Sequence, residues 1–362
     1  MILHIISNFE DRGGAETMLA RLLRLPLTER QTVVPLITVS EKMKAYVGNP
    51  AIDYRPQNVV SSPAAGRAVM SVAKILREER PTAVVCWMYH AMIVGSVARL
   101  ASRSDAPFFW NVRQSLDDPS SFTASTRLAI SVCRHLSRIP DGIIYNSSRA
   151  LALHELKGFR NGNVAVIPNG FDLPNGVAIT QKAPSVLGIA GRLHPQKDHA
   201  CFFRAAATTA RSHPNVRFKA AGIGMTPDNP AVRALMNEAG LDPRSIELLG
   251  MLDDMPSFYH GIDALVLSSR TEGFPNVVAE AMSHGKPVVA TDVGDAAEIV
   301  GETGFIVPAR DPDKLADGMR RMLELSPAVY ADSARSAHER IASRYSLEAI
   351  AGIYRRFLNI GS

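Results

Sequence analysis

Cysteine is scarce and long apolar runs are missing from the 362-residue chain, and each shortage excludes a class of protein. The three cysteines, Cys86, Cys133 and Cys201, lie far apart without metal-ligand spacing, which indicates buried thiols in a reducing compartment. No run of about 18 apolar residues occurs, so no membrane-spanning helix is predicted. The chain begins Met-Ile-Leu-His-Ile-Ile-Ser, which has no basic region or cleavage site and predicts a buried strand rather than a signal peptide.

Charge is distributed unevenly along the chain. Residues 1–170 contain 20 Lys and Arg against 13 Asp and Glu, whereas the remainder contains 20 against 22. A basic first half favours an anionic partner such as lipid, phosphate or nucleic acid, although an ordinary solvated surface gives the same count. No recognition motif or interleaved aromatic and basic stretch supports nucleic-acid binding, so we expect no nucleic-acid partner.

Short apolar runs alternate with helical segments, which is typical of parallel sheets covered on both faces. Two such series predict an α/β protein with two doubly wound, Rossmann-like domains. The turn-rich stretch Pro168–Gly176 predicts the boundary between them, and only helices are predicted after Pro308, ending in Ser346–Leu358. The predicted strands are Ile2–Ser7, Thr32–Val39, Ala83–Met88, Pro107–Arg113, Gly142–Asn146 and Val164–Pro168, then Ser185–Ala190, Val216–Ala221, Ile246–Leu249, Asp263–Ser268, Pro287–Thr291 and Phe305–Val307.

Glycines and cations follow the first strand of each series, where ligands bind in open parallel sheets. Gly13 and Gly14 would begin the first helix, where free N–H groups favour phosphate, but a Gly-Gly pair taken alone is more often a plain tight turn. Arg192 and Lys197 lie in a loop before a helix; their charges suit a diphosphate, although two solvated cations are the alternative. Neither a dinucleotide fingerprint nor a P-loop is present.

The segment from Glu272 to Gly285 is the most specific in the sequence. It follows a predicted strand, and Pro275 and Gly285 fit the start and the end of a helix. Glu272 is therefore predicted in the loop and Glu280 within the helix, with Phe274, Pro275 and Asn276 at the helix N-terminus. Carboxylates accept hydrogen bonds from vicinal hydroxyls, so these two glutamates predict binding of a sugar and a ribose, the alternative being two solvated side chains.

These motifs resemble the bacterial members of retaining glycosyltransferase family 4, and specifically the branch that builds exopolysaccharides, O-antigens and capsules. The resemblance implies the GT-B fold, in which two Rossmann-like domains face each other across a cleft. It implies an acceptor-side domain at 1–172, a donor domain at 173–345 and a C-terminal helix, about 346–360, that packs back on the first domain. The motifs that carry it are Gly13-Gly-Ala-Glu16, Trp87-Met-Tyr-His90, Trp110-Asn-Val-Arg113, Ile167-Pro-Asn-Gly-Phe-Asp172, Gly191-Arg-Leu with Lys197, Glu272-Gly-Phe-Pro-Asn through Glu280, and Gly294-Asp-Ala-Ala297.

The resemblance also implies a role for each candidate residue. Arg192 and Lys197 would bind the donor diphosphate, Glu280 the ribose, and Glu272 the transferred sugar. The backbone around Gly273 and Phe274 would help to hold that sugar, and Pro275 and Asn276, at the helix N-terminus, would face the donor. Gly13 and Gly14 would approach the phosphates from the other domain. His90 would lie near the anomeric carbon, and Arg113 would meet an acceptor phosphate.

The implied reaction transfers a sugar, with retention, from a UDP- or GDP-sugar to a saccharide or polyprenyl-diphosphate-linked acceptor. No cofactor and no metal are expected, because cationic side chains would take the place of a divalent ion. We read Asp311-Pro312-Asp313 as a helix cap, and Asp117-Asp118 and Asp253-Asp254 as loop residues. We expect a cytoplasmic protein. Thr123–Arg138 predicts a helix with a basic side and an apolar side, which suits peripheral docking on the inner membrane face but suits an ordinary packed helix as well.

Two enzyme classes remain as alternatives. A nucleotide-sugar 2-epimerase would share the fold but would turn over the donor without an acceptor. A nicotinamide-dependent dehydrogenase is suggested only by Gly222-Ile-Gly224, which is a weak signal in isolation.

Overall fold

The computed structural model describes residues 1–11, 13–26, 29–59, 61–117 and 122–360, which form two compact units. The first unit comprises Met1–Gly170 and Leu347–Ser362, and the second comprises Phe171–Ser346. The chain thus passes from the first unit to the second after Gly170 and returns after Ser346. The boundaries expected from the sequence were after residues 172 and 345.

Each unit is built on a parallel sheet, as predicted. In the described part of the chain the first sheet has seven strands in the order β3-β2-β1-β4-β5-β6-β7, and the second has six in the order β10-β9-β8-β11-β12-β13. Both orders reverse direction beside the first strand of the unit, which defines a doubly wound sheet. The strands are β1 (Ile2–Ile6), β2 (Gln31–Pro35), β3 (Asp53–Tyr54), β4 (Ala83–Trp87), β5 (Phe108–Val112), β6 (Gly142–Tyr145), β7 (Val164–Val166), β8 (Val186–Ala190), β9 (Arg217–Ala221), β10 (Ile246–Gly250), β11 (Ala264–Leu267), β12 (Val288–Thr291) and β13 (Phe305–Val307).

Helices connect successive strands and cover both faces of each sheet. The helices are α1 (Gly14–Arg24), α2 (Glu41–Val47), α3 (Ser62–Glu79), α4 (Tyr89–Ser102), α5 (Ala124–Leu136), α6 (Ser148–Leu156), α7 (His199–Ser212), α8 (Pro230–Ala239), α9 (Met255–His260), α10 (Asn276–Ser283), α11 (Ala296–Val300), α12 (Pro312–Leu323), α13 (Pro327–Arg344) and α14 (Leu347–Leu358). Among the described residues, no helix combines the length and the hydrophobicity needed to cross a membrane.

Alternation of side chains along β1 shows how the first sheet is covered. Leu3 and Ile5 join the hydrophobic cluster on one face, whereas Ile2 and Ile6 join the cluster on the other, and all four are almost completely buried. Successive residues of a strand point to opposite faces, so a strand buried on both sides must be apolar throughout. This is why the continuous apolar runs in the sequence predicted strand positions close to those in the structure.

Helix α14 belongs to the first unit although it lies at the far end of the chain. Ile350, Tyr354 and Leu358, spaced by four residues, are buried in the cluster formed by Ile2, Ile6 and their neighbours. The Tyr354 ring stacks on Trp87 with 6.4 Å between centroids. This spacing places all three side chains on one face of the helix, and that face completes the covering of the sheet.

Two elements of the first unit have no counterpart in the sequence prediction. Helix α2 has only seven residues and is capped by Ser40, whose side chain accepts a hydrogen bond from the Met43 N–H. Strand β3 consists of two half-buried residues at the edge of the sheet. Both are too short to give a periodic pattern, so the apolar pattern did not locate them.

Candidate functional site

Loops at the carboxyl edge of the second sheet approach each other closely. A Cβ atom added to Gly222, after β9, would lie 2.1 Å from the carbonyl oxygen of Gly191, after β8. One added to Gly294, after β12, would lie 2.6 Å from the carbonyl oxygen of Gly273, after β11. Gly222 and Gly294 also have positive φ, at +142° and +55°, which side chains disfavour. Glycine at these two positions therefore permits the loops with the predicted donor residues to pack together.

The geometry around Gly222 also explains the Gly222-Ile-Gly224 pair. Gly222 approaches the backbone of the Gly191–Arg192 loop, and a Cβ on Gly224 would lie 3.0 Å from the Cβ of Leu193 in the same loop. The glycine pair thus has a packing reason, which removes the one signal that suggested a dehydrogenase.

Lys197 and Glu272 form an ion pair at this edge. Lys197 ends a short 3₁₀ turn, Pro195–Lys197, and its Nζ lies 2.6 Å from Oε1 of Glu272. Ser269 Oγ donates to the same oxygen at 2.7 Å. The side chains are only 25% and 13% exposed, so the pair is partly shielded from water, where an electrostatic interaction is stronger. The structure therefore brings together two residues that the sequence predicted as ligands of the diphosphate and of the sugar.

Arg192, the other predicted diphosphate ligand, lies in the same loop and is exposed. Among the described residues its guanidinium takes part in no ion pair, so its charge is open to solvent. Gly191, just before it, lies against the Lys197 stem, since an added Cβ would be 3.5 Å from Cδ of Lys197. The loop thus presents one exposed cation and one cation held by a carboxylate.

Glu280 lies in α10, one turn beyond the N-terminus, as predicted. Its Oε2 accepts a hydrogen bond of 3.0 Å from the hydroxyl of Tyr259, which is 2% exposed. The helix begins after Pro275 and Gly285 follows its end with φ of +66°. Tyr259 was not identified from the sequence, because the aromatic side chain precedes β11 in a segment without a motif.

Phe274 is buried between rings of its own unit, so its side chain is an anchor rather than a ligand. It stacks on Phe171 with 6.1 Å between centroids, and Tyr345 lies 6.0 Å away. Gly273 and Asn276 are partly exposed and Pro275 is buried. Packing of Phe274 fixes the backbone between Glu272 and the helix, which is the part of this segment that the sequence analysis assigned to the donor.

In the first unit, the loop after β1 contains Gly13 and Gly14 at the start of α1. The Glu16 carboxylate folds back over Gly13, since a Cβ added there would lie 2.2 Å from Oε2 of Glu16. Burial, and secondarily the charge of Asp11, raises the pKa of Glu16. An acidic group thus lies where the sequence led us to expect room for a phosphate, and the phosphate role of the two glycines stays a prediction.

His90 lies in the first turn of α4 and is exposed. Met88, immediately before the helix, has φ of +69° and ψ of 163°, a conformation that residues other than glycine rarely adopt. Partial burial lowers the pKa of His90, so the imidazole favours its neutral form. Strained backbone conformations of this kind are concentrated at functional sites, and no sequence pattern predicts them.

Arg113, predicted to meet an acceptor phosphate, lies in the interior of the first unit with 8% exposure. Its guanidinium donates to the Ile167 carbonyl oxygen at 3.0 Å, to the Tyr354 hydroxyl at 3.1 Å, and to Asn169. Burial lowers its pKa. The contacts give Arg113 a structural role, joining the end of β5 to the 167–169 segment and to α14, and the acceptor role stays a prediction.

The aspartate pairs were interpreted as caps and loop residues. Asp311 caps α12, with its carboxylate accepting from the Lys314 N–H at 3.0 Å, and Asp254 caps α9 in the same way through the Ser257 N–H. Asp117 binds Arg149, and Asp118 lies outside the described residues. Within those residues no group of three or more His, Cys, Asp or Glu side chains is arranged to hold a metal ion. Metal independence itself stays a prediction.

Two family models match the chain. The model for the glycosyl transferase 4-like domain matches residues 13–170, and the model for glycosyl transferases group 1 matches residues 184–325. The two matched ranges correspond to the main parts of the first and the second unit.

Individual proteins are also similar to this chain. Glycogen synthase of Mycobacterium tuberculosis is 30% identical over 204 residues, which are 54% of this chain and 48% of that protein. The lipopolysaccharide core biosynthesis mannosyltransferase LpcC of Rhizobium leguminosarum is 28% identical over 256 residues, 65% of this chain and 70% of that protein. The crystal structure of Anabaena Alr3699/HepE in complex with UDP has a TM-score of 0.81 at 22% identity and 99% coverage of both chains, a likeness of fold.

The extent of these sequence matches is limited. The match spans about half the length of the M. tuberculosis protein, and the same holds for the alpha-D-kanosaminyltransferase of Streptomyces kanamyceticus, which is 32% identical over 180 residues.

Proposed function

We propose that the chain, which belongs to the glycosyltransferases of the GT-B fold, transfers a sugar from a nucleoside-diphosphate sugar to a saccharide or lipid-linked saccharide. The observation that carries the proposal is the Lys197–Glu272 ion pair at the carboxyl edge of the second sheet. The Lys197 cation suits the phosphates and the Glu272 carboxylate suits the sugar hydroxyls. The two side chains together therefore fit a sugar diphosphate better than either side chain does alone.

Cleavage of the bond between sugar and diphosphate leaves growing negative charge on the phosphates. Lys197 and Arg192 stabilise this charge, and a group that interacts more strongly with the transition state than with the ground state lowers the barrier. Glu272, oriented by Ser269, accepts hydrogen bonds from the sugar hydroxyls, and Glu280, held by Tyr259, accepts them from the ribose. We infer retention of configuration and independence of metal from the resemblance to family 4.

The donor is proposed to be a UDP- or GDP-sugar. The UDP complex of Anabaena Alr3699/HepE supports a uridine nucleotide, and the similarity to the R. leguminosarum mannosyltransferase supports a role in cell-surface polysaccharide synthesis. A panel of UDP-, GDP- and ADP-sugars tests the proposal by thermal stabilisation, followed by transfer to lipid-diphosphate saccharides. Failure of every nucleotide sugar to stabilise the protein would contradict it.

Glu272→Ala tests the site itself. We expect transfer to be abolished while binding of the free nucleotide stays nearly unchanged, because Glu272 is assigned to the sugar. Glu247→Ala is the matched control, since Glu247 also pairs with a lysine of the second unit, Lys219, at 3.3 Å. Equal loss of transfer and of nucleotide binding in Glu272→Ala would show that the assignment to the sugar is wrong.

We also propose that the first unit docks on an anionic bilayer, so that the protein acts at the inner membrane face. On α5, Arg127 and Arg134 are exposed together with Leu128, and Leu156 at the end of α6 is 84% exposed. The Arg134 stem lies against Gly158, just beyond α6, with 3.2 Å from its Cδ to an added Cβ. Cations beside exposed leucines suit anionic headgroups and the apolar layer beneath them.

Sedimentation with vesicles of phosphatidylcholine, with and without phosphatidylglycerol, tests the docking. We expect binding only to the anionic vesicles and a loss of about 30-fold in Arg127→Glu/Leu128→Ser, since reversing one charge removes about 1 kcal/mol of attraction and adds about 1 kcal/mol of repulsion. Arg244→Glu in the second unit makes the same charge change on an exposed arginine and should bind normally. Binding that ignores lipid charge would rule out this surface.

A further inference from the structure

Three consecutive residues after β11, Ser268 to Arg270, each bond to the predicted donor site. Ser268 Oγ donates to the Lys197 carbonyl oxygen at 2.7 Å, and Ser269 Oγ donates to the Glu272 carboxylate at 2.7 Å. The Arg270 N–H donates to the Gln196 carbonyl oxygen at 2.8 Å. The segment therefore holds the backbone on which Lys197 stands and also the side chain of Glu272.

The Arg270 side chain makes the strongest of these contacts, with Asp198. Nε donates to Oδ2 at 2.7 Å and Nη2 donates to Oδ1 at 2.9 Å, so the pair has the two-bond geometry in which a guanidinium fits a carboxylate. The Asp198 side chain is 4% exposed, whereas that of Arg270 is 44% exposed. The carboxylate is thus buried and its counter-charge reaches it from the solvent side.

Asp198 directly follows Lys197 and is in a conformation that side chains disfavour, with φ of +47°. It is also the N-cap of α7, with its Oδ1 3.4 Å from the Cys201 N–H. A residue kept in this region of backbone conformation needs contacts that determine it, and the Arg270 bonds supply them. Asp198 is therefore a negative charge fixed one residue from the cation assigned to the donor diphosphate.

We propose that Arg270 is a positioning residue for donor binding: it neutralises Asp198 and holds the Gln196–Lys197 backbone, so that Asp198 does not compete with the diphosphate for Lys197, which is already paired with Glu272. This inference rests on the proposed function. Without Arg270, the buried Asp198 carboxylate has lost its two-bond partner, repels a diphosphate and competes with it for the Lys197 ammonium. Burial of an unpaired charge is costly, so Asp198 would turn to the cation nearest in sequence.

Calorimetric titration with UDP, GDP and ADP tests the inference, using the nucleotide that the wild-type protein binds most tightly. Arg270→Gln should weaken that binding about tenfold, which corresponds to about 1.4 kcal/mol. Arg270→Gln/Asp198→Asn should bind within about threefold of wild type, because it removes the unpaired charge while asparagine keeps the cap of α7. Arg270→Lys keeps the charge without the fork and should also stay within about threefold.

Rescue by the second substitution separates this role from a merely structural one, since a loop that had lost its shape would not regain affinity when a further contact was removed. Arg244→Gln is the matched control: on the surface of the same unit, Arg244 donates from Nε to Oδ1 of Asp242 at 3.2 Å and from Nη2 to Oδ2 at 2.9 Å, the same two-bond geometry. It should leave nucleotide affinity unchanged. Urea unfolding of every variant verifies that it is folded.

The outcomes separate the inference from the proposed function. A wild-type protein that binds none of the three nucleotides overturns both. Normal binding by Arg270→Gln, or a double variant as weak as the single one, overturns the role of Arg270 alone.

Discussion

Replacing Gly222 with alanine tests how the donor loop is built. The added methyl group would lie 2.1 Å from the Gly191 carbonyl oxygen and 2.9 Å from the Arg192 nitrogen, both backbone atoms that cannot rotate away. Real Cβ contacts below 3.0 Å essentially do not occur, so the two loops must separate by about 0.9 Å. Gly240→Ala is the control, since Gly240 has positive φ, +66°, but open space around it.

The two variants should differ in stability and in function. Gly240→Ala forces alanine into the left-handed region, which costs about 1 kcal/mol of unfolding free energy and nothing in nucleotide affinity. Gly222→Ala adds a backbone displacement to a strained conformation, and we expect a loss of about 3 kcal/mol. Because Arg192 moves with its loop, transfer should fall about 100-fold, the usual effect of a displacement near 1 Å at a reacting site.

Urea unfolding measures the free energy of unfolding of each variant, and the initial rate of transfer at low donor concentration measures the loss of activity. The comparison is made between two Gly→Ala changes, so the entropy that alanine removes from the unfolded chain is common to both. Wild-type transfer by a folded Gly222→Ala protein would refute the reasoning, because it would mean that the Gly191–Arg192 backbone does not position a group that binds the donor.

Three further predictions concern single side chains. Tyr259→Phe removes the hydrogen bond to Glu280 and should raise the donor KM several-fold with little change in kcat, as the loss of about 1 kcal/mol of binding implies. Arg113→Met should lower the free energy of unfolding by about 3 kcal/mol, because it leaves buried acceptors without a donor. Burial lowers the pKa of His154 from 6.5 to about 4, and its ring nitrogens contact the Ala150 carbonyl and the Tyr89 hydroxyl, which suits a neutral imidazole. As the pH falls from about 6.5 to about 4, the unfolded chain takes up a proton that the folded chain refuses, so stability falls, and His154→Gln should reduce this slope by up to about 1.4 kcal/mol per pH unit.

Each of these predictions has its own control. Tyr330→Phe removes another buried tyrosine hydroxyl, which donates to the Asp263 carbonyl oxygen, and should cost stability without changing the donor KM. An unchanged unfolding free energy in Arg113→Met would contradict its structural role. Burial also lowers the pKa of His4, His199 and His284 to about 4, so part of the pH slope should remain in His154→Gln. A slope identical to that of wild type would show that His154 is not held neutral.

The strands could be predicted from the sequence because their environment is simple. A parallel strand covered on both faces is apolar throughout, so Val84 and Val85, which face opposite sides of the first sheet, are both almost fully buried. The places of Glu272, Glu280 and Lys197 in the fold could be predicted for a related reason, since the loop or helix that carries each of them follows a strand that the pattern locates, whereas their roles stay predictions. What could not be predicted is which of them touch: the Lys197–Glu272 pair joins residues 75 positions apart.

The burial of Arg113 inside the first unit could not be predicted. The end of a parallel strand is the expected place for a ligand-binding cation, and nothing near Arg113 in the sequence indicates otherwise. Its partner Tyr354 lies 241 residues later, in a helix that the sequence predicts without indicating which part of the sheet it covers. Arg270 was overlooked for a similar reason, because its partner Asp198 lies in another loop and neither residue belongs to a recognised motif.

The return of α14 to the first unit affects the order in which the protein folds during translation. Ribosomes make the first strands early, but the face of their sheet beneath Ile350, Tyr354 and Leu358 stays open until α14 has been synthesised. The chain of the second unit is complete before then. The nascent protein therefore exposes apolar surface while the whole second unit is synthesised, a period in which a chaperone would have a defined place to bind.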